Sequence, residues 1–463
     1  MSDAFRLGSD ALVMFPPTEA ECFGYARDAQ AVGIVHFGIG AFHRAHQAWY
    51  TDRAMDAGDR NWAITGVSLR SAEVAEQLNP QQGIYTVTER SEHGALTRLI
   101  GSVRNVLVAP YEGAAVTAAL AAPTTHVASL TITEKGYCRA GDGSLDADLA
   151  TEGSVYASLA AGLRRRRDTG LGGLTLLSCD NLADNGAQLA RLMGAYLERF
   201  DPDMLGWFQD ECACPSTMVD RIVPATTAAD RAAVAETLDG LSDHAAVMTE
   251  PFSQWVIEDR FAGPRPNWEN VGAELVSDVA PYETAKLRML NGAHSALAYL
   301  ALGAGHVYVH QAVADPAIRP LIEQLMRREA ATSLTPTPGQ DLAAYGDALL
   351  ARFANPALAH RLAQIAMDGS QKVPQRWLET LAAQQAAHQQ CPAILTALAA
   401  WLRHVRGDNG LVDDPQATIL ARQWAEAGTS GIVDALFGSQ GTIRSGWYPT
   451  DADSAVIAAL LSN

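Results

Sequence analysis

Ile34-Val-His-Phe-Gly38-Ile39-Gly40-Ala41-Phe42-His43-Arg44-Ala-His46 sets a Gly-x-Gly directly behind a short branched apolar run and directly ahead of a helical pattern. Two glycines at that junction let the backbone approach a pyrophosphate held at a helix N-terminus. His43 stands where a third glycine is usual, so the motif is incomplete and its surroundings have to carry it. Working outward, segments 33–37, 62–69, 126–132 and 174–178 are short, rich in branched or aromatic residues, and separated by helical patterns. That alternation predicts a parallel sheet covered by helices, an α/β, Rossmann-type dinucleotide-binding domain spanning residues 1–276. Ligand contacts are expected at the carboxyl ends of the strands. Those ends supply Gly38, Ile39, Gly40, Ala41, Phe42, His43 and Arg44 from the first, Ser68, Leu69 and Arg70 from the second, and Thr133 and Glu134 from the third. No Asp or Glu closes the second strand, Glu73 lies three residues beyond Arg70, and Arg70 suits a 2′-phosphate, so NAD and NADP both stay open.

Past residue 281 the pattern turns helical almost throughout, broken at Pro316, Pro320, Pro336, Pro338, Pro356 and Pro374. A mainly α-helical C-terminal domain over residues 277–463 is expected. The chain has 463 residues, 48 % of them hydrophobic and 19 % charged, with a formal net charge of −18, which fits an acidic soluble enzyme and argues against a nucleic-acid partner. The basic run Arg164 to Arg167 reads as a helix C-terminus complementing the dipole. Six scattered Cys point to free thiols in a reducing compartment, hence the cytoplasm. Cys212-Ala-Cys214 lacks the second pair a zinc site needs, and His36, His43 and His46 are expected to point apart, so no metal site is expected. Met1-Ser-Asp-Ala-Phe-Arg6 has no basic start followed by an apolar run, and no stretch is apolar for long enough to cross a membrane.

Chemistry concentrates in Lys286-Leu-Arg-Met-Leu-Asn291-Gly-Ala-His294. On an α-helical wheel at about 100° per residue, Glu283, His294 and Asn291 fall about 60°, 80° and 140° from Lys286, one broad face. A lysine among apolar neighbours is a general-base candidate, because desolvation disfavours its charged form. The competing reading is a snorkelling lysine, a capping Asn and a core His.

Four further blocks accompany the glycine loop: Thr131-Ile-Thr-Glu-Lys-Gly-Tyr137, Ser178-Cys-Asp-Asn181-Leu-Ala-Asp-Asn-Gly186, Met218-Val-Asp220-Arg-Ile-Val-Pro224 and the Lys286 segment. With them the chain resembles the mannitol dehydrogenase family of long-chain polyol dehydrogenases, nearly end to end. The resemblance implies metal-independent hydride transfer between a nicotinamide cofactor, NAD, and a secondary alcohol. It makes Lys286 the general base, Asn181 and Asn291 amide donors to the reacting oxygen, and His294 a further hold on that oxygen. Glu283 is similar to the family's acidic residue that passes the proton to solvent, with a helix salt bridge as the alternative. Asp220 reads as a carboxylate organising the site, or as a structural partner of Arg221. The likeness also implies a monomer.

His360-Arg361-Leu-Ala-Gln364-Ile-Ala-Met-Asp-Gly-Ser-Gln-Lys372-Val-Pro-Gln-Arg376 narrows the substrate. The mannitol enzymes share the lysine here but tend to carry Arg where this chain has Gln364. The form present is similar to the fructuronate reductases, whose substrate is a six-carbon keto acid, and Glu250-Pro-Phe-Ser-Gln-Trp-Val-Ile-Glu-Asp259 strengthens that likeness. Arg361, Lys372 and Arg376 would meet a substrate carboxylate, a group that asks for cations. The expected substrate is therefore a sugar acid, D-fructuronate interconverting with D-mannonate; a neutral polyol is the alternative, in which case Arg361 and Arg376 are surface charges.

Overall fold

A computed structural model of the chain describes residues 5–151 and 153–462. The first four residues of the Met1 to Arg6 segment lie outside that range. The chain divides into two compact units, Met1–Val279 and Ala280–Asn463.

In the first unit eleven strands follow in order: β1 Val32–Phe37, β2 Ala63–Ser68, β3 Tyr85–Ser91, β4 Gly94–Ile100, β5 Val103–Val108, β6 Val127–Leu130, β7 Thr175–Ser178, β8 Thr217–Asp220, β9 Val247–Thr249, β10 Gln254–Glu258 and β11 Glu274–Val276. Five of them form a wholly parallel sheet in the order β5-β2-β1-β6-β7. β1, β6 and β7 are buried almost end to end, as strands with helices on both faces must be. The chain runs outward from β1 to β2 and β5 on one side and to β6 and β7 on the other. The reversal of strand order thus falls between β1 and β6, where an open α/β sheet leaves its crevice.

The expected strands 33–37, 62–69, 126–132 and 174–178 correspond to β1, β2, β6 and β7. β5 was not anticipated. It is one of the sheet's two edges, and the half-exposed Arg104 and Asn105 between the buried Val103 and Val106 deny it a continuous apolar run. Two three-stranded sheets complete the unit, β4-β3-β9 and β11-β10-β8. β3 and β4 form an antiparallel hairpin with Ser91 facing Gly94.

The second unit has no strands among its described residues. Its core gathers around the helix Pro392–Arg406, whose inward face is apolar for most of its length. Glu329, buried, accepts hydrogen bonds from the N–H groups of Ala393 and Ile394 at 2.8 Å each, which satisfies two donors left open at that helix's start. No helix among the described residues is long and apolar enough to cross a membrane.

Candidate active site

The glycine loop leaves β1 with Gly38 at φ +91°, a backbone region that a side chain rarely enters. A Cβ there would lie 2.1 Å from the Thr131 carbonyl oxygen, just past the end of β6. The Gly38 N–H donates to the Val67 carbonyl of β2 at 2.9 Å, and the Thr131 hydroxyl donates to the Gly38 carbonyl at 2.7 Å. The turn is thereby tied to the ends of β2 and β6, at the reversal point. Gly40 differs: it is exposed, and the nearest atom to a Cβ placed there is 3.8 Å away. The helix Ala41–Ala45 then starts without a side-chain cap. Open space at Gly40 beside uncapped N–H groups suits a dinucleotide pyrophosphate.

Three residues expected to touch the cofactor through this loop face the interior instead. Ile39 is part of the core. Arg44 is buried, its guanidinium bonded to the Ala245 carbonyl, with Nε at 3.3 Å from the Gly40 carbonyl and the group lying over the Tyr85 ring. It is a clamp behind the loop, since a guanidinium spent on carbonyls inside the protein is not offered to a phosphate. His43 is fully buried and stacks on His36 with ring centroids 3.4 Å apart. This overturns the expectation that these two imidazoles point apart. The tight turn at Gly38 instead folds the start of the helix back over β1, so strand and helix side chains meet face to face. Among the described residues no cluster of three or more His, Cys, Asp or Glu is placed to hold a metal ion.

His36 bonds Ser129 Oγ at 2.8 Å and Thr131 Oγ1 at 2.9 Å, and burial pushes its pKa down to about 3. Burial, then the neighbouring His36, also pushes His43 well down. A histidine held neutral in the fold stabilises it above the unfolded pKa, near 6.5, and the contribution is lost as pH falls through the folded value. The urea midpoint should therefore fall progressively between pH 6.5 and pH 3, and less steeply in His36→Gln; equal slopes in the two proteins would remove His36 from the account.

At the other strand ends Ser68 donates to the Ser71 carbonyl at 2.6 Å, Leu69 is half-buried and Arg70 is exposed. Thr133 and Glu134 are exposed, and Thr133 has φ +61°, an uncommon conformation for a branched residue that needs outside support. Asp180 supplies it. Its carboxylate accepts from the N–H of Ile132 at 3.0 Å, the N–H of Thr133 at 2.9 Å and the Tyr137 hydroxyl at 2.9 Å. Burial pushes the Asp180 pKa up, and these donors oppose the shift. Asp180 is not among the expected site residues; a carboxylate immediately past a buried strand is the signal in the sequence that marks it. Asn181 follows it on an exposed turn. Asn185 fixes that turn to β8 by donating to the carbonyls of Asp180 and Thr217. Asp220, at the end of β8, is buried. Its neighbour Arg221 turns to the Glu89 carboxylate and to the carbonyls of Ala45 and Glu250, with its guanidinium 4.5 Å from the Trp49 ring centre.

In the second unit, Ala280–Ala285, Lys286–Asn291 and Gly292–Gly303 run on as one helix, but the middle six residues are a π-helix. The Gly292 N–H reaches the Leu287 carbonyl, five residues back. The even wheel used above for Lys286, Asn291 and His294 therefore does not hold: the wider turn shifts every later residue relative to Lys286. Such bulges insert a residue at a cost in hydrogen bonding and concentrate at functional sites. Lys286 is 8 % exposed, while Glu283, Asn291 and His294 are half-buried. The His294 ring lies 4.7 Å from that of Phe353 and 5.3 Å from that of His360. Burial, followed by His360, Arg352 and Arg376, drives its pKa well down.

A second π-helix, Pro374–Leu378, packs against the first. It brings Arg376 Nη1 to 3.3 Å from the Asn291 carbonyl and 2.7 Å from Ser295 Oγ, while Trp377 Nε1 donates to the Gly292 carbonyl at 3.0 Å. Burial lowers the Arg376 pKa to about 10. Lys372 is half-buried, with its ammonium donating to the carbonyls of Met367 at 2.6 Å and Ile365 at 3.4 Å. Arg361 is exposed over the Tyr308 ring, 5.5 Å from its centre. Of the three cations, Arg376 alone bonds directly to the segment carrying Lys286, Asn291 and His294. Arg352 and His360, close to His294, were not among the expected site residues. They approach it from distant parts of the sequence, and no local pattern marks them.

A doubly wound sheet with a glycine turn at its reversal point is the organisation of a dinucleotide-binding domain. Residues 32–270 match the mannitol dehydrogenase Rossmann domain and residues 278–438 the mannitol dehydrogenase C-terminal domain. The chain belongs to the mannitol dehydrogenase family and is an oxidoreductase of that family. It is 42 % identical over 403 residues to an uncharacterised oxidoreductase of Escherichia coli (strain K12), covering 84 % of this chain and 81 % of that protein. It is 39 % identical over 448 residues, 92 % of each chain, to D-mannonate oxidoreductase of the same organism. The mannitol 2-dehydrogenase of Pseudomonas fluorescens, solved as a ternary complex with NAD and D-mannitol, superposes with a TM-score of 0.79 at 32 % identity, covering 99 % of this chain and 96 % of that one.

Proposed function

We propose that the protein is an NAD-dependent reductase of a six-carbon keto sugar acid, interconverting D-fructuronate and D-mannonate. The observation that carries the reading is the half-buried Arg376, whose guanidinium is bonded to the Asn291 carbonyl and Ser295 on the segment that holds Lys286 and His294. Both bonds use Nη1, so the rest of the guanidinium fork remains to meet a substrate carboxylate. The likeness to D-mannonate oxidoreductase over 92 % of both chains supports it.

NAD supplies the hydride acceptor or donor. The residues at the β1 turn that suit its pyrophosphate are Gly38, Gly40 and the backbone of Ala41 and Phe42. In the oxidative direction the Lys286 amine takes the proton from the substrate hydroxyl oxygen as the hydride departs from the carbon that bears that hydroxyl; in reduction the Lys286 ammonium returns a proton to the carbonyl oxygen. Asn291 donates an amide N–H to that oxygen, with Asn181 assigned the same role, and stabilises the charge developing on it. His294 holds the oxygen, Glu283 relays the proton and Asp220 organises substrate hydroxyls.

A second reading, a mannitol 2-dehydrogenase or related polyol dehydrogenase, is favoured by two of the three expected cations. Lys372 is engaged with backbone carbonyls and Arg361 lies exposed over Tyr308. NADH oxidation with D-fructuronate, D-tagaturonate, D-fructose and D-xylulose in parallel, repeated with NADPH, separates the readings. Preference for fructuronate is the expected result; preference for fructose or xylulose establishes the polyol reading. Arg376→Gln should raise KM for the keto acid by about 10- to 100-fold, the loss of one charge-assisted hydrogen bond. An equal rise for D-fructose would assign Arg376 to holding the helix rather than the carboxylate.

A further inference from the structure

We propose that His360 is a second imidazole of the substrate site, hydrogen-bonding a hydroxyl of the substrate's carbon chain next to the oxygen held by His294. The inference rests on the reading of His294 as a substrate contact. The two rings meet edge to face, 5.3 Å between centroids at 85°. At that separation one hydroxylated chain spans both, since adjacent hydroxyl oxygens on a carbon chain are about 3 Å apart and each hydrogen bond adds a similar reach.

The backbone holds His360 in place at a cost. Its carbonyl accepts from the Val309 N–H at 3.0 Å, Arg361 forms an isolated antiparallel bridge with Tyr308, and the Leu362 N–H reaches the Val307 carbonyl at 3.0 Å. Immediately before it, Ala359 sits at φ +43°, a left-handed conformation that costs a residue with a side chain. The short turn Pro356–Leu358 that leads there is capped by Asn355. Local strain of this kind persists where the surrounding structure fixes a side chain for use.

The side chain itself is incompletely satisfied. His360 is half-buried, and its Nδ1 is a buried atom with no hydrogen-bond partner among the described residues. A polar atom left so costs stability unless a ligand or water completes it. Burial, followed by Arg352, presses the His360 pKa down, as burial, then His360, Arg352 and Arg376, does for His294. Two neutral imidazoles each offer one donor and one acceptor, the pairing a hydroxyl needs.

The test uses the full-length enzyme with NADH and whichever of the four carbonyls above it reduces fastest. His360→Phe keeps an aromatic edge against His294 but removes both nitrogens; His360→Asn keeps a donor and an acceptor but loses the ring. The expected result is a KM raised about tenfold or more in His360→Phe, with substantial recovery in His360→Asn and an unchanged NADH dissociation constant in both. His360→Ala is read in the same way if phenylalanine prevents folding. A packing role gives the reverse order, Phe tolerated and Asn harmful, and that order overturns the inference, as does an unchanged KM in His360→Phe. Turnover of none of the four carbonyls overturns the functional reading itself, whereas turnover insensitive to His360→Phe overturns this inference alone.

Discussion

Lys286→Ala is expected to lower kcat by about 10²- to 10⁴-fold, the range that a positioned general base contributes, while leaving the NADH dissociation constant within about twofold of wild type. The separation of the two effects follows from location. Lys286 is buried in the π-helix of the second unit, and the glycine turn that suits the pyrophosphate belongs to the first. The π-helix sharpens the expectation. It places the lysine where the regular i to i−4 ladder is interrupted, an arrangement that costs hydrogen-bond quality and is kept where a side chain has to be aimed. Steady-state kinetics combined with NADH fluorescence titration provides the measurement. Turnover within tenfold of wild type would remove Lys286 from the role of base.

Gly38→Ala should abolish measurable NADH binding and lower the melting temperature by several degrees. The added methyl group would stand 2.1 Å from the Thr131 carbonyl oxygen, on a residue whose φ of +91° already disfavours a side chain. Strain of this kind costs about 1–3 kcal/mol before the steric contact is counted. Relief requires the turn to move off the end of β6, and the bonds from Gly38 to Val67 and from Thr131 to Gly38 go with it. Gly40→Ala is the companion experiment. Nothing in the protein lies closer than 3.8 Å to a methyl there, so this variant should melt like wild type and still bind NADH more weakly. If Gly40→Ala binds NADH normally, the open space at Gly40 is not where the pyrophosphate sits.

The parts of the molecule legible in the sequence are those written in local patterns. Runs of branched residues closed by polar or glycine positions marked β1, β2, β6 and β7, and the Gly-x-Gly marked the tight turn between β1 and its helix. β5 escaped because the adjacent polar residues Arg104 and Asn105 interrupt its apolar pattern. Lys286, Asn291 and His294 could be picked out as candidates from residue types at close spacing, but their relative directions could not. The α-helical wheel assumes a uniform turn, and whether a helix widens to a π-helix depends on what packs beside it, here the segment Pro374–Leu378.

The amino-acid sequence by itself determined the fold class, the family and the residue types available for hydride transfer, because hydrophobic periodicity and motif spacing act over a few residues. Tertiary structure alone decided which of those residues reach one another. It turned Arg44 and His43 inward, stacked His43 on His36, made Asp180 the support of a strained Thr133, and gathered Arg352, His360 and Arg376 around His294. Each of these rests on contacts between segments distant in the chain. Burial and close packing set them, and no local spacing encodes either.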